Sequence, residues 1–153
     1  MRTVQVCAGL LLLAVYIIGS GWWVSNSGGW YAALNRPAWQ PPNWVFGVAW
    51  PYNFTVLAVA AFQIPRRLSA PQTWMWLGLF AASIAAALAW AYLFYGPHRL
   101  TASACALATA ALLTVGLVLL AARASSALAW FLAPYQLWLF VATSLSIGYA
   151  VRN

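Results

Sequence analysis

Indole, phenol and guanidinium groups are the side chains in this sequence that could do chemistry. The chain carries 11 Trp, 7 Tyr, 7 Arg and one His, but no Asp, Glu or Lys. Without carboxylates it lacks the means for a paired acid–base centre, an Asp-supported triad or a hard-cation site. A proton-coupled transporter is also disfavoured, because such proteins usually carry a buried carboxylate in the membrane.

The aromatic residues are concentrated in one proline-rich stretch, WYAALNRPAWQPPNWVF, which covers residues 30–46. Pro37, Pro41 and Pro42 prevent a continuous helix there, and the residues before them favour extended backbone. We therefore predict a rigid, aromatic-faced lid across one end of a helix bundle. The alternative is an ordinary belt of aromatic side chains at a membrane interface.

The elements that would position these side chains are apolar helices. The chain of 153 residues is 65% hydrophobic and 5% charged, whereas ordinary globular proteins are about 25% charged. Five segments have about the 20 apolar residues that span a bilayer. The sequence thus predicts an all-α integral membrane protein, a single five-helix domain over residues 1–153. The predicted spans are residues 4–23, 44–64, 74–95, 100–122 and 128–151, with a long first loop at 24–43.

The arginines occur singly or as one pair between the apolar segments, so they form no stripe of the kind that nucleic acid requires. They are typical of anchors at the membrane interface, some of them facing anionic headgroups. Five spans place four arginines on one side of the membrane and three on the other. This small bias favours a cytoplasmic N-terminus. The two groups are Arg2, Arg66, Arg67 and Arg123 on one side, and Arg36, Arg99 and Arg152 on the other.

The first apolar segment, the two cysteines and the histidine each have more than one possible role. The first apolar segment is a retained helix or, less in keeping with its length, a signal peptide. Cys7 and Cys105 are far apart within apolar runs, which favours packing roles and indicates neither a disulfide nor a metal site. His98, the single histidine, is either a solvated turn residue or a ligand of haem iron. Pro51 and Pro134 are expected near helix ends.

Three motifs in order resemble the TspO/MBR family, which comprises the translocator protein and the tryptophan-rich sensory proteins. They are WYAALNRPAWQPPNWVFGVAWPYNF at Trp30–Phe54, WAYLFYG at Trp90–Gly96 and APYQLWLFVATSLS at Ala133–Ser146. The resemblance covers nearly the whole chain. It implies a five-helix bundle, often a homodimer, with a ligand cavity under the first loop and no required cofactor. Family members bind porphyrins such as protoporphyrin IX, and some bind sterols.

The same resemblance implies roles for particular residues. Trp50 and Trp138 would be the pocket tryptophans, and they would be catalytic if the chain degrades porphyrin in light, as certain bacterial members are reported to do. Arg36, or Arg99, is a candidate partner for a porphyrin propionate. Tyr31, Trp39, Phe54, Phe94 and Ala142 would line the same cavity. Near the C-terminus, Leu145, Tyr149 and Arg152 fit a proposed sterol-recognition pattern.

The sequence departs from the family at a few positions. Ala87 and Ser146 stand where the family usually has Asn, and Arg36 stands where Lys is common. Losing two amides removes polar groups that would orient a ligand. Four functions stay open on the sequence: a binding or sensory protein for tetrapyrroles or similar apolar ligands, a light-dependent porphyrin-degrading enzyme, a transporter, and a structural bundle. Whether the membrane is a bacterial cytoplasmic or outer membrane, or that of an organelle, also stays open.

Overall fold

The computed structural model describes residues 1–26 and 29–153, and within those residues it is all helical, with six helices and no strand. Five helices are long and apolar enough to cross a membrane, whereas the helix called α2 is a single turn in the first loop. The helices are α1 Arg2–Ser25, α2 Trp30–Ala33, α3 Asn43–Arg67, α4 Ala70–Tyr95, α5 Leu100–Ala124 and α6 Ser126–Arg152.

Local sequence signals set the ends of these helices. The backbone N–H of Ser69 donates to Gln72 Oε1 at 3.2 Å, which satisfies an otherwise free donor at the start of α4. Ser125 does the same for α6 by accepting from the backbone N–H of Leu128. Between α4 and α5 the chain turns within four residues, and His98 adopts a left-handed conformation with φ of 57°. Such short connections make neighbouring helices antiparallel.

The five long helices form a closed ring in the order α1, α3, α6, α5 and α4, with α4 packing back on α1. The core of this ring contains large apolar side chains such as Phe80 and Leu139, both fully buried. Small residues allow the closest approaches: a methyl group at Gly9 of α1 would lie 2.9 Å from Cβ of Ala61 on α3. Because α1 contributes Leu13 and Tyr16 to the core, it is an integral part of the bundle.

The prediction of five membrane-spanning helices is therefore confirmed, with helices that extend a few residues beyond the predicted spans. The expectation that Pro51 and Pro134 lie near helix ends is wrong. Both lie inside helices, each eight residues after the first helical residue, which is Asn43 in α3 and Ser126 in α6. Prolines are tolerated inside membrane helices because neighbouring helices and local adjustments satisfy the freed backbone groups. A proline at either position leaves the carbonyl four residues earlier without its helical hydrogen bond. Two residues of the predicted first loop, 27 and 28, lie outside the described part of the chain.

Exposed tryptophans lie at both ends of the bundle. Trp22 and Trp44 lie at the end that carries the first loop, and Trp74 and Trp130 lie at the opposite end. Tryptophan is enriched at both membrane–water interfaces, where its ring is apolar and its N–H is polar. These two belts bracket a lipid-facing surface, and the arginines of the two predicted groups lie at or beyond the corresponding helix ends.

Candidate functional site

A cavity of about 530 Å³ opens at the end of the bundle that carries the first loop. Ligand cavities in proteins are usually about 300–1,000 Å³, so this one has room for a sizeable molecule. Its walls come from α3, α4 and α6, with contributions from the end of α1 and from the first loop. The lining residues are Val24, Tyr31, Asn43, Phe46, Gly47, Trp50, Pro51, Trp90, Phe94, Tyr95, Trp138, Ala142, Leu145, Ser146 and Tyr149.

Helical periodicity explains how distant positions come to share this cavity. Residues three or four apart lie on the same face of a helix. On α3 and α4 the lining pairs are therefore one turn apart, and α6 presents a stripe about three turns long. The stripe and the pairs are Trp138, Ala142, Leu145 and Tyr149 on α6, Phe46 and Trp50 on α3, and Trp90 and Phe94 on α4.

Aromatic rings meet at the centre of the cavity. The Trp50 and Trp138 rings lie with centroids 6.3 Å apart and planes at 80°, an edge-to-face arrangement. Phe46 meets Trp138 in the same way, at 5.1 Å and 82°. On the opposite wall, Trp90 and Phe94 lie 5.9 Å apart. Such pairs stabilise one another beyond simple burial. The result is a set of aromatic surfaces from three helices that face the same space.

The floor below Trp50 is closed by further aromatic packing. The Phe54 ring stacks beneath Trp50 with centroids 5.5 Å apart and planes at 28°. Tyr16 of α1 contacts both rings edge-on, at 5.6 Å from Phe54 and 6.3 Å from Trp50. Since Tyr16 is almost completely buried, this layer separates the cavity from the other half of the bundle.

Two indole N–H groups in the cavity wall differ in their partners. Trp90 Nε1 donates to Ser146 Oγ at 3.2 Å, which fixes the ring of Trp90 against α6. Trp138 Nε1 is buried and has no hydrogen-bond partner among the described residues. A buried donor without an acceptor costs about 1–3 kcal/mol.

The first loop packs over the cavity and is held by α6. Tyr149 at the cavity rim donates its hydroxyl to Gln40 Oε1 and lies 3.2 Å from the hydroxyl of Tyr31. Further along, Pro37 is buried against Gly148, where a side chain would lie only 2.7 Å from its ring. The three prolines and these contacts give the loop one defined conformation, as expected of a lid.

The start of the loop is anchored on the turn between α4 and α5. Trp30 stacks on the His98 ring with centroids 3.8 Å apart and planes at 21°. The same indole meets Phe94, a cavity residue, edge-on at 5.5 Å. His98 Nδ1 lies 3.2 Å from the carbonyl oxygen of Phe94. The histidine is thus an exposed turn residue whose ring supports the lid.

A second, polar cavity of about 330 Å³ adjoins the first at Asn43. It is formed by the loop prolines together with Arg36, Gln40 and Asn43, and Arg36 is its cationic group. Because the chain has no acidic side chain, a carboxylate ligand meets no repulsion from a side chain there. The two cavities together present an apolar slot with a basic mouth.

Five of the seven residues expected to line the cavity do so, namely Tyr31, Trp50, Phe94, Trp138 and Ala142. The structure differs from the expectation at the other two. Trp39 lies on the outer side of the lid, 53% exposed, and its Nε1 donates to Ser144 Oγ at 3.3 Å. Phe54 lies in the floor layer, separated from the cavity by Trp50.

The remaining predicted residues are divided between the cavity and its surroundings. Leu145 and Tyr149 of the sterol pattern face the cavity, whereas Arg152 is exposed, with its guanidinium 5.7 Å from the Trp39 ring. Arg99 is exposed in the turn before α5 and lines neither cavity. Cys7 and Cys105 are free and lie on the outer face of the bundle.

Sequence reasoning missed three aromatic residues of the cavity, Phe46, Trp90 and Tyr95. A signal for the first two was present. Phe46 precedes Trp50 by one helical turn, and Trp90 precedes Phe94 by one turn, so each shares a helix face with a residue that was predicted. Tyr95 had no such signal, because it does not follow that spacing.

The fold and the cavity define a class: small polytopic membrane proteins in which a helix bundle encloses an aromatic cavity beneath an extramembrane loop. The chain matches the TspO/MBR family over residues 8–152, and it belongs to that family. It is 30% identical to Protein CrtK of Rhodobacter capsulatus over 154 aligned positions, covering 91% of each chain.

Two other relatives show how widely the similarity extends. The chain is 32% identical to the tryptophan-rich sensory protein of Cereibacter sphaeroides, covering 76% of this chain and 72% of the relative. It is 27% identical to the translocator protein of Homo sapiens, covering 76% and 70% of the two chains. With the five spanning helices, these matches make the chain an integral, multi-pass membrane protein.

Proposed function

We propose that this protein binds a flat, largely apolar ligand with an anionic edge, of which a porphyrin such as protoporphyrin IX is the leading example. The observation that carries the proposal is the cavity of about 530 Å³ with Trp50, Trp90 and Trp138 on three different helices. A tetrapyrrole is a wide π-system, and aromatic side chains on several sides give it stacking and edge contacts.

The basic mouth supports the same ligand class. Porphyrin propionates are anionic, and a guanidinium binds a carboxylate through two parallel hydrogen bonds. Arg36 lines the polar cavity that adjoins the aromatic one, so an apolar ring in the slot would place its propionates near this side chain. The sterol-like alternative would occupy the same slot through Leu145 and Tyr149.

The test is a titration of the purified protein with protoporphyrin IX in detergent, in the dark, followed by tryptophan fluorescence. We expect saturable quenching that weakens by about ten-fold in affinity in Trp50→Phe or Trp138→Phe. Trp130→Phe is the matched control, since Trp130 is 78% exposed at the opposite end of the bundle. Replacing both Arg36 and Arg99 by Gln removes the proposed propionate partners. If porphyrin affinity is unchanged in that double variant, the propionate assignment is wrong.

A second function, light-dependent degradation of the porphyrin, is favoured by the contact between Trp50 and Trp138. Their rings meet edge-to-face at 6.3 Å in the cavity, and the lining residues provide no carboxylate or histidine for acid–base catalysis. Chemistry there would therefore use the photoexcited porphyrin, dioxygen as the oxidant and a redox-active indole. Illumination of the complex in air should consume the porphyrin. At porphyrin concentrations that saturate both proteins, the double variant Trp50→Phe/Trp138→Phe should no longer consume it. If the wild type and the double variant consume porphyrin at the same rate under these conditions, the protein is not the catalyst of the degradation.

A further inference from the structure

The end of the bundle opposite the cavity carries a cluster of arginines on two neighbouring helices. Gly9 of α1 and Ala61 of α3 mark a close crossing, since a methyl group at Gly9 would lie 2.9 Å from Cβ of Ala61. With a rise of about 1.5 Å per residue, Arg2 lies roughly 10 Å beyond this crossing and Arg66 roughly 8 Å beyond it. The arginines of the two helices therefore lie at about the same level along the axis of the bundle.

A hydrogen bond confirms that this end of α1 is held in place. Gln5, which is almost fully buried, donates from Nε2 to the carbonyl oxygen of Ala70 at 3.3 Å, in the first residue of α4. The first turns of α1 are thereby fixed against the connection between α3 and α4. Arg2, Arg66 and Arg67 are all exposed. We refer to these three residues as the α1/α3 basic cluster.

One member of the α1/α3 basic cluster is oriented along the lipid-facing surface. The Arg66 guanidinium carbon lies 3.5 Å from the centroid of the Phe62 ring, and Nη1 donates to the Phe62 carbonyl oxygen. Phe62 is 50% exposed on the outer face of α3. The cation therefore sits above an apolar ring at the boundary of the hydrocarbon region. Trp74, exposed on the adjacent α4, marks the interface at the same end.

The positive charge of the cluster has no side-chain counterion in the protein. The chain of 153 residues contains no Asp or Glu. A phosphate group is a chemically suitable partner for these arginines, because a guanidinium group binds phosphate oxygens through two parallel hydrogen bonds. At interface height, next to lipid-facing aromatic side chains, the nearest phosphates are those of phospholipids.

We propose that the α1/α3 basic cluster is a binding site for the headgroup of an anionic phospholipid, at the end of the bundle opposite the ligand cavity. Arg2 and Arg67 contact the phosphate from two helix ends, while Arg66 is held over Phe62 beside the acyl chains. The site is independent of the proposed porphyrin function. It also fixes the orientation of this end toward a leaflet that contains anionic lipid.

The experiment is native mass spectrometry of the purified full-length protein in a neutral detergent, titrated with phosphatidylglycerol or with phosphatidylcholine. We expect phosphatidylglycerol to bind more tightly to the wild type. Each basic residue near an anionic membrane surface contributes about 1 kcal/mol, or roughly five-fold. Arg2→Gln/Arg67→Gln should therefore lose about 25-fold in affinity for phosphatidylglycerol. Arg2→Lys/Arg67→Lys should lose less than that, because the charge is kept although the paired guanidinium hydrogen bonds are not.

Arg99→Gln/Arg152→Gln is the matched control, with the same change in net charge but with arginines at the end of the bundle that carries the first loop. Equal loss in the control and in the cluster variant would overturn the proposal, since the preference would then reflect overall charge. No preference of the wild type for phosphatidylglycerol would overturn it too. Competition by soluble glycerol phosphate at the same concentration would indicate a site for free anions and not for lipid. If circular dichroism shows that the double variant does not fold, the single variant Arg2→Gln replaces it. We then expect a roughly five-fold loss of affinity for phosphatidylglycerol, and an unchanged affinity would overturn the proposal.

Discussion

Gly148→Ala should open the lid over the cavity while leaving the helix bundle intact. Gly148 lies on α6 where the first loop crosses it. An added Cβ would stand 2.7 Å from Cγ of Pro37 and 2.9 Å from Cζ2 of Trp39, whereas ordinary contacts begin at 3.4 Å. Neither neighbour is the end of a flexible chain: one is a proline ring and the other an indole. The loop must therefore move outward by about 0.5–0.7 Å, the difference between these distances.

The size of the effect follows from comparing the closed and open loop. Forcing an extra methyl group into a packed contact costs about 1–3 kcal/mol. The gain in helix propensity on replacing Gly by Ala is about 1 kcal/mol, but it is the same in both states and cancels. The closed state should thus lose roughly five-fold to a hundred-fold in population relative to the open state, since about 1.4 kcal/mol corresponds to ten-fold.

Hydrogen–deuterium exchange of residues 29–42 in detergent measures this opening directly. We expect faster exchange in Gly148→Ala and a correspondingly faster dissociation of bound protoporphyrin IX, with little change in the thermal unfolding of the helices. Gly78→Ala is the control, because no atom in the described part of the chain lies within 4 Å of a Cβ added at Gly78 on α4. Loop exchange and porphyrin release that match the wild type would refute the reasoning that Gly148 is needed for the lid to close.

Three further substitutions probe the interior. Ser146→Ala removes the acceptor of the 3.2 Å hydrogen bond from Trp90 Nε1. We expect the free energy of unfolding to fall by about 1–3 kcal/mol and the fluorescence emission of Trp90 to shift. Ser144→Ala is the control and should cause a smaller loss of unfolding free energy. Gly9→Leu would force α1 away from α3 and should lower the melting temperature by several degrees. Gly21→Leu should not, because an added Cβ there meets no atom of the described residues within 4 Å. The buried Gln136 side chain makes one hydrogen bond, from Nε2 to the Ala111 carbonyl oxygen at 3.0 Å, and its Oε1 has no partner among the described residues. Gln136→Leu removes both groups, so the melting temperature should be unchanged or slightly raised. A large drop in melting temperature would show that Oε1 has a partner such as water.

The membrane fold could be predicted because its causes are local in sequence. Each span is recognisable from about 20 consecutive apolar residues, and short connections leave only antiparallel packing for neighbours. The aromatic lid followed from Pro37, Pro41 and Pro42, which act on the backbone wherever they occur. The expectation that Pro51 lies near a helix end was wrong although the predicted span was nearly right, because a membrane helix tolerates an internal proline when its surroundings satisfy the freed backbone groups.

For the candidate site, the sequence could not predict which way individual aromatic side chains point. Trp39 and Trp50 belong to one motif, yet Trp39 lies outside the lid and Trp50 inside the cavity. Their roles depend on how the loop crosses α6 at Gly148, a contact between residues more than a hundred positions apart. Phe54 likewise belongs to the floor because Tyr16 of α1 packs against it.

Composition and hydrophobic patterning thus determined that the protein is a five-helix membrane bundle, and the absence of Asp and Glu determined which chemistries it lacks. Only the tertiary structure decided which aromatic residues share a cavity, that Ser146 holds Trp90, and that Arg66 lies over the ring of Phe62. The physical reason is that apolar burial and proline restriction act within one segment of chain. A cavity or a charged cluster exists only once separate helices have packed in a particular order.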